Sequence, residues 1–255
     1  MAKQFPPSVQ SAVVIPARIA STRLPRKLLL RETGKSVLEH TYAAACQARR
    51  PLGVWVAAGD AEIAREVHRF GGRVEQTDPD LPSGTDRVAE LARRQPLRHF
   101  DILVNVQGDE PEIDPHVIDR LIERLEHHPE AEMATLAAPI PDDASFHDPA
   151  CVKVVTDISG RALYFSRAPI PFRRDASESP ARRPLMHLGI YAYRREALLR
   201  FAALPPSMLE QCERLEQLRA LEAGFKIAVE VVDDATCGID TPEDYTRFVA
   251  RQQSA

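Results

Sequence analysis

Long apolar runs are missing from this 255-residue chain: the stretch nearest the N-terminus, Ala12 to Ile15, is cut by Pro16, and nothing later approaches the roughly 20 residues of a bilayer span. We therefore expect a cytoplasmic protein with no leader and no membrane contact. A charge excess of one sign is also lacking. The formal net charge is −4, which leaves no electrostatic footprint for nucleic acid. Cysteine is sparse: Cys46, Cys151, Cys212 and Cys237 are scattered, with no CxxC and no paired Cys/His spacing. That excludes a disulfide framework and a zinc-ligand pattern, and it suits reduced thiols. Neither GxxxxGK[ST] nor GxGxxG is present, so a P-loop NTPase and a dinucleotide fold have no support. No repeat, low-complexity tract or interdomain linker interrupts the chain, and one core is the default at this length.

What the sequence does contain is an alternation of strand-like and helix-like segments. Ala12 to Ile15, Val54 to Ala58 and Ile102 to Val106 read as buried strands. Between them, Ser36 to Arg49 opens with a capping-box pattern, Ser36 and Glu39, and Ala61 to Phe70 sets Ile63, Val67 and Phe70 on one stripe. Asp114 to His127 carries Val117, Ile118, Leu121, Ile122 and Leu125 at helical spacing. Past about residue 140 the rhythm turns antiparallel: strand-like Cys151 to Thr156 and Arg161 to Ser166 flank the turn Asp157-Ile158-Ser159-Gly160. Ala168 to Pro184 is aperiodic and rich in Pro and Arg, and is expected to be a loop, with a lid as one role. Leu185 to Tyr193 predicts a strand, Ser207 to Ala223 one helix ended by Gly224, and Phe225 to Val232 a late strand. Thr241-Pro242-Glu243-Asp244 opens a final helix.

Three segments carry chemistry. After the first strand comes Pro16-Ala17-Arg18-Ile19-Ala20-Ser21-Thr22-Arg23-Leu24-Pro25-Arg26-Lys27, in which Arg18, Arg23 and Lys27 can neutralise a triphosphate and its pyrophosphate leaving group. Residue types alone leave a solvated basic loop equally open. Ser83-Gly84-Thr85-Asp86-Arg87 sits at a predicted helix start, with Gly84 permitting close approach of a ligand; a plain helix cap explains it as well. Asn105-Val106-Gln107-Gly108-Asp109 follows a buried strand, where open α/β sheets bind ligands. Asp109 is the candidate metal ligand there, and Asp240, at another strand-to-helix junction, is a candidate second carboxylate for Mg²⁺. Spacing alone does not bring the two together.

In order along the chain, VVIPARIASTRLPRK, GGRVEQTDPDLPSGTDR, VNVQGDEP, MATLAAPI, VKVVTDISGRALYFSRAPIP, HLGIYAYRR, LEQLRALEAG and GIDTPEDY resemble the CMP-Kdo synthetase (3-deoxy-manno-octulosonate cytidylyltransferase) family. The RxASTRLP loop separates that family from CMP-sialic acid synthetases, which carry a glycine- and lysine-containing version. The resemblance implies an α/β, Rossmann-like (GT-A-like) nucleotidyltransferase fold: a three-layer sandwich with a mixed central sheet. It also implies a single domain over 1–255, with an antiparallel dimerisation and lid region at about 151–206. The activity implied is transfer of CMP from CTP to Kdo or a related acid sugar, with Mg²⁺ as cofactor and a homodimer as the assembly. Carried over residue by residue, Arg18, Arg23 and Lys27 look like phosphate ligands, and Gly84, Arg87 and Gln107 like contacts around the cytidine. Asp109 and Asp240 look like the magnesium pair, and Arg167, His187, Tyr191, Glu216 and Gln217 like the sugar side. Three positions depart from the family pattern: Ile19 where an aromatic is usual, Arg26 where glycine is, and Leu28 where proline is common.

Overall fold

A computed structural model describes residues 9–172, 174, 183–233 and 238–254. Its strands are β1 (Ser11–Ala17), β2 (Val54–Ala58), β3 (Val74–Gln76), β4 (Ile102–Asn105), β5 (Met133–Pro139), β6 (Lys153–Thr156), β7 (Ala162–Ser166), β8 (Leu185–Arg194) and β9 (Ile227–Val231). The α-helices are α1 (Val37–Ala45), α2 (Ala61–Arg69), α3 (Gly84–Ala92), α4 (Pro115–His127), α5 (Asp143–His147), α6 (Arg195–Ala202), α7 (Met208–Glu213), α8 (Gln217–Glu222) and α9 (Pro242–Ser254). Among these residues no helix is long and apolar enough to cross a membrane. Most of the expected 168–184 loop, and Cys237, lie outside the described residues.

The strands form one mixed sheet in the order β3-β2-β1-β4-β8-β5-β9, with β6 joined to β8 and β7 to β6. Pairs β1–β2, β2–β3, β1–β4 and β5–β9 are parallel, whereas β8 runs antiparallel to both β4 and β5. Strand β1 has no polar face because both sides are covered. Its Val13 and Ile15 pack with α1, α2, α4 and α9, while Ala12 and Val14 pack on the other side with α3, α6 and α8. Truncating a fully buried residue here, such as Ile15, costs about 2–5 kcal/mol. The result is the expected three-layer α/β sandwich, with the carboxyl ends of β1 and β4 side by side.

Local chemistry sets the ends of the elements. Ser36 caps α1 by accepting from the Glu39 amide, Asp114 caps α4, and Ser83 caps α3 through the Asp86 amide. In the β6–β7 hairpin the Asp157 carboxylate accepts from Ser159 and from the Arg161 amide, bonds that hold its carboxyl down at about 2. One expectation fails. The helix read from Ser207 to Ala223 is two helices, broken at Arg214, whose φ is +55°. The cause is tertiary: the Glu213 carboxylate accepts from Ser166 Oγ and the Arg167 amide, and the Glu213 carbonyl accepts from Arg167 Nε. The end of β7 thus captures the last turn of α7.

Candidate active site

The eight candidates Arg18, Arg23, Lys27, Gly84, Arg87, Gln107, Asp109 and Asp240 all line one cleft of about 330 Å³. It opens where β1 and β4 end, beside the N-terminal turn of α3. The basic turn leaves β1 with its backbone tied down, the Ile19 amide donating to Asp60 Oδ2 at 2.7 Å. Gly84 lies so near Pro16 that a Cβ there would come within 3.1 Å of the proline ring. Its lack of a side chain keeps the helix end and the strand end together.

Lys27 is the centre of the polar cluster. Its ammonium donates to Asp109 Oδ2, to Asp240 Oδ1 at 3.0 Å and to the Ile239 carbonyl at 2.9 Å. Arg23 takes the other Asp240 oxygen at 3.0 Å. Burial pulls the Lys27 pKa down, but the two carboxylates outweigh it and leave the ammonium above its ordinary value. The two aspartates therefore do converge. One cation already sits against both, so the pair fits a divalent ion that draws its remaining ligands from phosphate and water. Among the described residues no cluster of three or more Asp, Glu, His or Cys side chains is placed to hold a metal alone. Asp244, which sequence reading passed over as a helix-start acid, sets the Asp240 backbone: its Oδ2 accepts from the amides of Asp240 and Thr241 at 3.1 and 2.8 Å.

Arg87 is committed elsewhere. It is 2% exposed, and its two terminal nitrogens donate to Thr77 Oγ1 and to the carbonyls of Asp78 and Pro79 at 2.7–3.0 Å. Burial, then the nearby Arg18 charge, lowers its pKa. Its guanidinium borders the cleft while holding the 77–81 loop, a role that residue type at a helix start cannot reveal.

The five sugar-side candidates do not line the cleft. Arg167 lies just past β7, His187 and Tyr191 on β8, and Glu216 and Gln217 at the start of α8. Tyr191 on β8 pairs in register with Asn105 at the end of β4. His187 contacts Thr135 Oγ1 through Nε2 at 2.9 Å, and its ring meets those of Phe165 and Tyr191 at 5.0 and 5.4 Å. Part of its surface stays open, yet this packing pushes its pKa down to about 3, so the ring is neutral at pH 7. The Tyr191 hydroxyl is pushed well up by burial. Arg167 is clamped: Nε donates to the Glu213 carbonyl, one terminal nitrogen to the Pro149 carbonyl, and its own carbonyl accepts from buried Lys153 at 2.8 Å. Gln217 is 6% exposed, and its Nε2 has no hydrogen-bond partner among the described residues. Glu216 accepts at 2.6 Å from Thr85, the neighbour of Gly84, so the first turn of α3 touches both groups of residues.

A family model described as cytidylyltransferase matches residues 12–227. The chain is 51% identical to the 3-deoxy-manno-octulosonate cytidylyltransferase of Rhodopirellula baltica over 251 residues, 95% of this chain and 98% of that one. The chain belongs to the 3-deoxy-manno-octulosonate cytidylyltransferase family. It is also 46% identical to an 8-amino-3,8-dideoxy-manno-octulosonate cytidylyltransferase of Shewanella sp. strain ANA-3, over 94% of this chain and 97% of that one. A CMP:2-keto-3-deoxy-manno-octonic acid synthetase solved with CTP superposes with a TM-score of 0.90 at 41% identity, covering 96% of this chain and 99% of that one.

Within the cytidylyltransferase family, the departure at Arg26 acquires a physical meaning. Arg26 has φ +57° and ψ +25°, the left-handed region that glycine enters freely. Its guanidinium forms an ion pair with Glu62 on α2, anchoring a turn that glycine would leave to its backbone alone. Leu28, in place of proline, is 6% exposed and packs in the core against the site, within 3.2 Å of where a Cβ on Gly108 would lie. Ile19 packs against the same core.

Proposed function

We propose that this chain transfers CMP from CTP to the anomeric hydroxyl of Kdo, releasing pyrophosphate. The observation that carries the reading is the joining, in one cleft, of the Arg18, Arg23 and Lys27 cations with the Asp109–Asp240 carboxylate pair. The sugar oxygen attacks the α-phosphorus, the bond from that phosphorus to the bridging oxygen breaks, and the hydroxyl proton passes to solvent. Positioning and charge neutralisation dominate such a displacement. Asp109 and Asp240 would hold Mg²⁺, which when bound supplies charge neutralisation at the phosphates. Lys27 and Arg18 neutralise the departing pyrophosphate, and Gln107 and Gly84 border the base and ribose. On the sugar side Arg167, its guanidinium held by the Glu213 and Pro149 carbonyls, would supply the positive charge for the acid group. The whole chain acts as one cytidylyltransferase unit, cytoplasmic, with its product used in lipopolysaccharide assembly.

A homodimer is part of this reading. Ile158 at the β6–β7 turn and Val231 on β9 are exposed apolar side chains lining an apolar groove of about 890 Å³, and Leu163 on β7 is a further exposed apolar side chain. A second copy of the chain covers that face; light scattering of the wild type and of Leu163→Glu tests it. Pyrophosphate release across the four nucleoside triphosphates and a panel of acid sugars, including the 8-amino relative of Kdo and sialic acid, tests the activity. Release with CTP and Kdo is expected, and no release with any acid sugar would end the proposal.

A further inference from the structure

Glu216 lies at the N-terminal end of α8 with both carboxylate oxygens already engaged. Oε2 accepts from Thr85 Oγ1 at 2.6 Å and Oε1 from Arg219 at 2.9 Å. Arg219 is itself fixed: it is 8% exposed, donates to the Leu204 carbonyl at 2.9 Å, pairs with Glu210 at 3.2 Å and lies over the Phe201 ring at 4.8 Å. Thr85 is 4% exposed and is the second residue of α3. Its neighbour Gly84 borders the nucleotide cleft, so adjacent residues of one helical turn face the two halves of the site. We propose that Thr85 is a positioning residue for the acceptor sugar, holding the Glu216 carboxylate, together with Arg219, in the orientation that accepts sugar hydroxyls.

The chemistry follows from what a carboxylate can and cannot do. Glu216 repels the acid group of the acceptor, so its free lone pairs suit hydrogen-bond donors such as the sugar hydroxyls, and each oxygen keeps lone-pair capacity beyond its one protein bond. Orientation decides which hydroxyls it meets. Burial, with the Asp86 charge beside it, leaves the Glu216 carboxyl above its ordinary pKa, and the Thr85 and Ser83 hydroxyls and the Arg219 charge oppose that. Without Thr85, one oxygen loses its fixed donor, and the carboxylate is free to turn about its own axis or to take a proton. Either change weakens hydroxyl recognition and leaves the nucleotide cleft, on the other side of the α3 turn, as it was.

This inference rests on the cytidylyltransferase reading, and the test keeps the two apart. Thr85→Val keeps shape and removes the donor; Thr85→Ser restores it. With the acid sugar that the wild type uses, Val is expected to raise KM for the sugar about tenfold, with CTP affinity by calorimetry within about twofold, and Ser to return KM to within about twofold of wild type. Glu216→Gln is expected to mask the effect, so the double variant Thr85→Val/Glu216→Gln loses little beyond Glu216→Gln alone. A Val variant with unchanged sugar KM, a parallel loss of CTP affinity, or failure of Ser to rescue overturns the positioning role. A wild type inert with every acid sugar overturns the functional reading, and this inference with it.

Discussion

Asp109 and Asp240 meet at a single ammonium, that of Lys27, which donates to both carboxylates and to the Ile239 carbonyl. A tethered cation thus sits where a divalent ion would bridge the same pair. Removing the Lys27 charge is expected to tighten binding of Mn²⁺ to the nucleotide-free protein, because the cation shared by both carboxylates is then gone and Arg23 remains on Asp240 alone. We expect Lys27→Met to bind Mn²⁺ about tenfold more tightly by electron paramagnetic resonance titration, on the order of a 1.4 kcal/mol change. Unchanged or weaker binding would contradict the competition.

The same pair is expected to act as a unit in turnover. Asp109→Asn and Asp240→Asn should each lower kcat by at least about a hundredfold without altering the fold, and the double variant should lose far less than the product of the single effects. Near-normal kcat in either single variant, with unchanged circular dichroism, would count against a shared metal.

At Arg26 the expectation concerns stability. A non-glycine residue in the left-handed region costs roughly 1–2 kcal/mol of backbone free energy, and the exposed ion pair with Glu62 offsets little of it. Arg26→Gly should raise the melting temperature by about 2 °C or more, and Arg26→Ala, which keeps the strain and drops the pair, should not raise it. Differential scanning calorimetry of the three proteins decides between them.

Arg87 tests the division between binding and support. Arg87→Met strands the carbonyls of Asp78 and Pro79, each costing about 1–3 kcal/mol if left unsatisfied, with water recovering part, while Thr77 Oγ1 keeps its bond to the Ala58 carbonyl. We expect a loss of roughly 2–4 kcal/mol by urea unfolding, with Arg87→Lys intermediate. A protein as stable as wild type with weakened CTP binding would move Arg87 from support to ligand contact.

Much of this architecture was legible because local rules and the tertiary structure agree. Val54–Ala58 is a buried apolar run and a strand, Ser36 caps a helix, and Pro115 stands at the first turn of one. Asp109 stood out because a carboxylate beyond a buried strand faces the ligand crevice of an α/β sheet, and Asp240 because it lies just ahead of the final helix. Where reading failed, the deciding partner was distant in sequence. The break at Arg214 depends on Ser166 and Arg167 reaching Glu213, and no periodicity in 207–223 encodes that. The hydroxyl of Thr85 reads as part of a helix cap until Glu216 is seen opposite it.

His187 carries the last expectation, a pH dependence whose sign follows from burial. Its folded-state pKa is about 3, against an ordinary value near 6.5, because packing against Phe165 and Tyr191 disfavours the imidazolium. Above the ordinary value the ring is neutral in both folded and unfolded chains, and the shift contributes nothing. As pH falls from there towards 3, the unfolded chain takes up a proton that the folded chain refuses, so stability falls. The slope is at most about 1.4 kcal/mol per pH unit, less to the extent that the open part of the ring is solvated. His187→Gln, which keeps a polar group near Thr135 Oγ1 and has nothing to titrate, should therefore lose less stability than wild type between pH 6 and pH 4, whatever its stability at pH 7. Urea unfolding at the two pH values measures the difference. Parallel losses in both proteins would mean that His187 is protonated in the fold, and the sugar side would then carry a second cation beside Arg167.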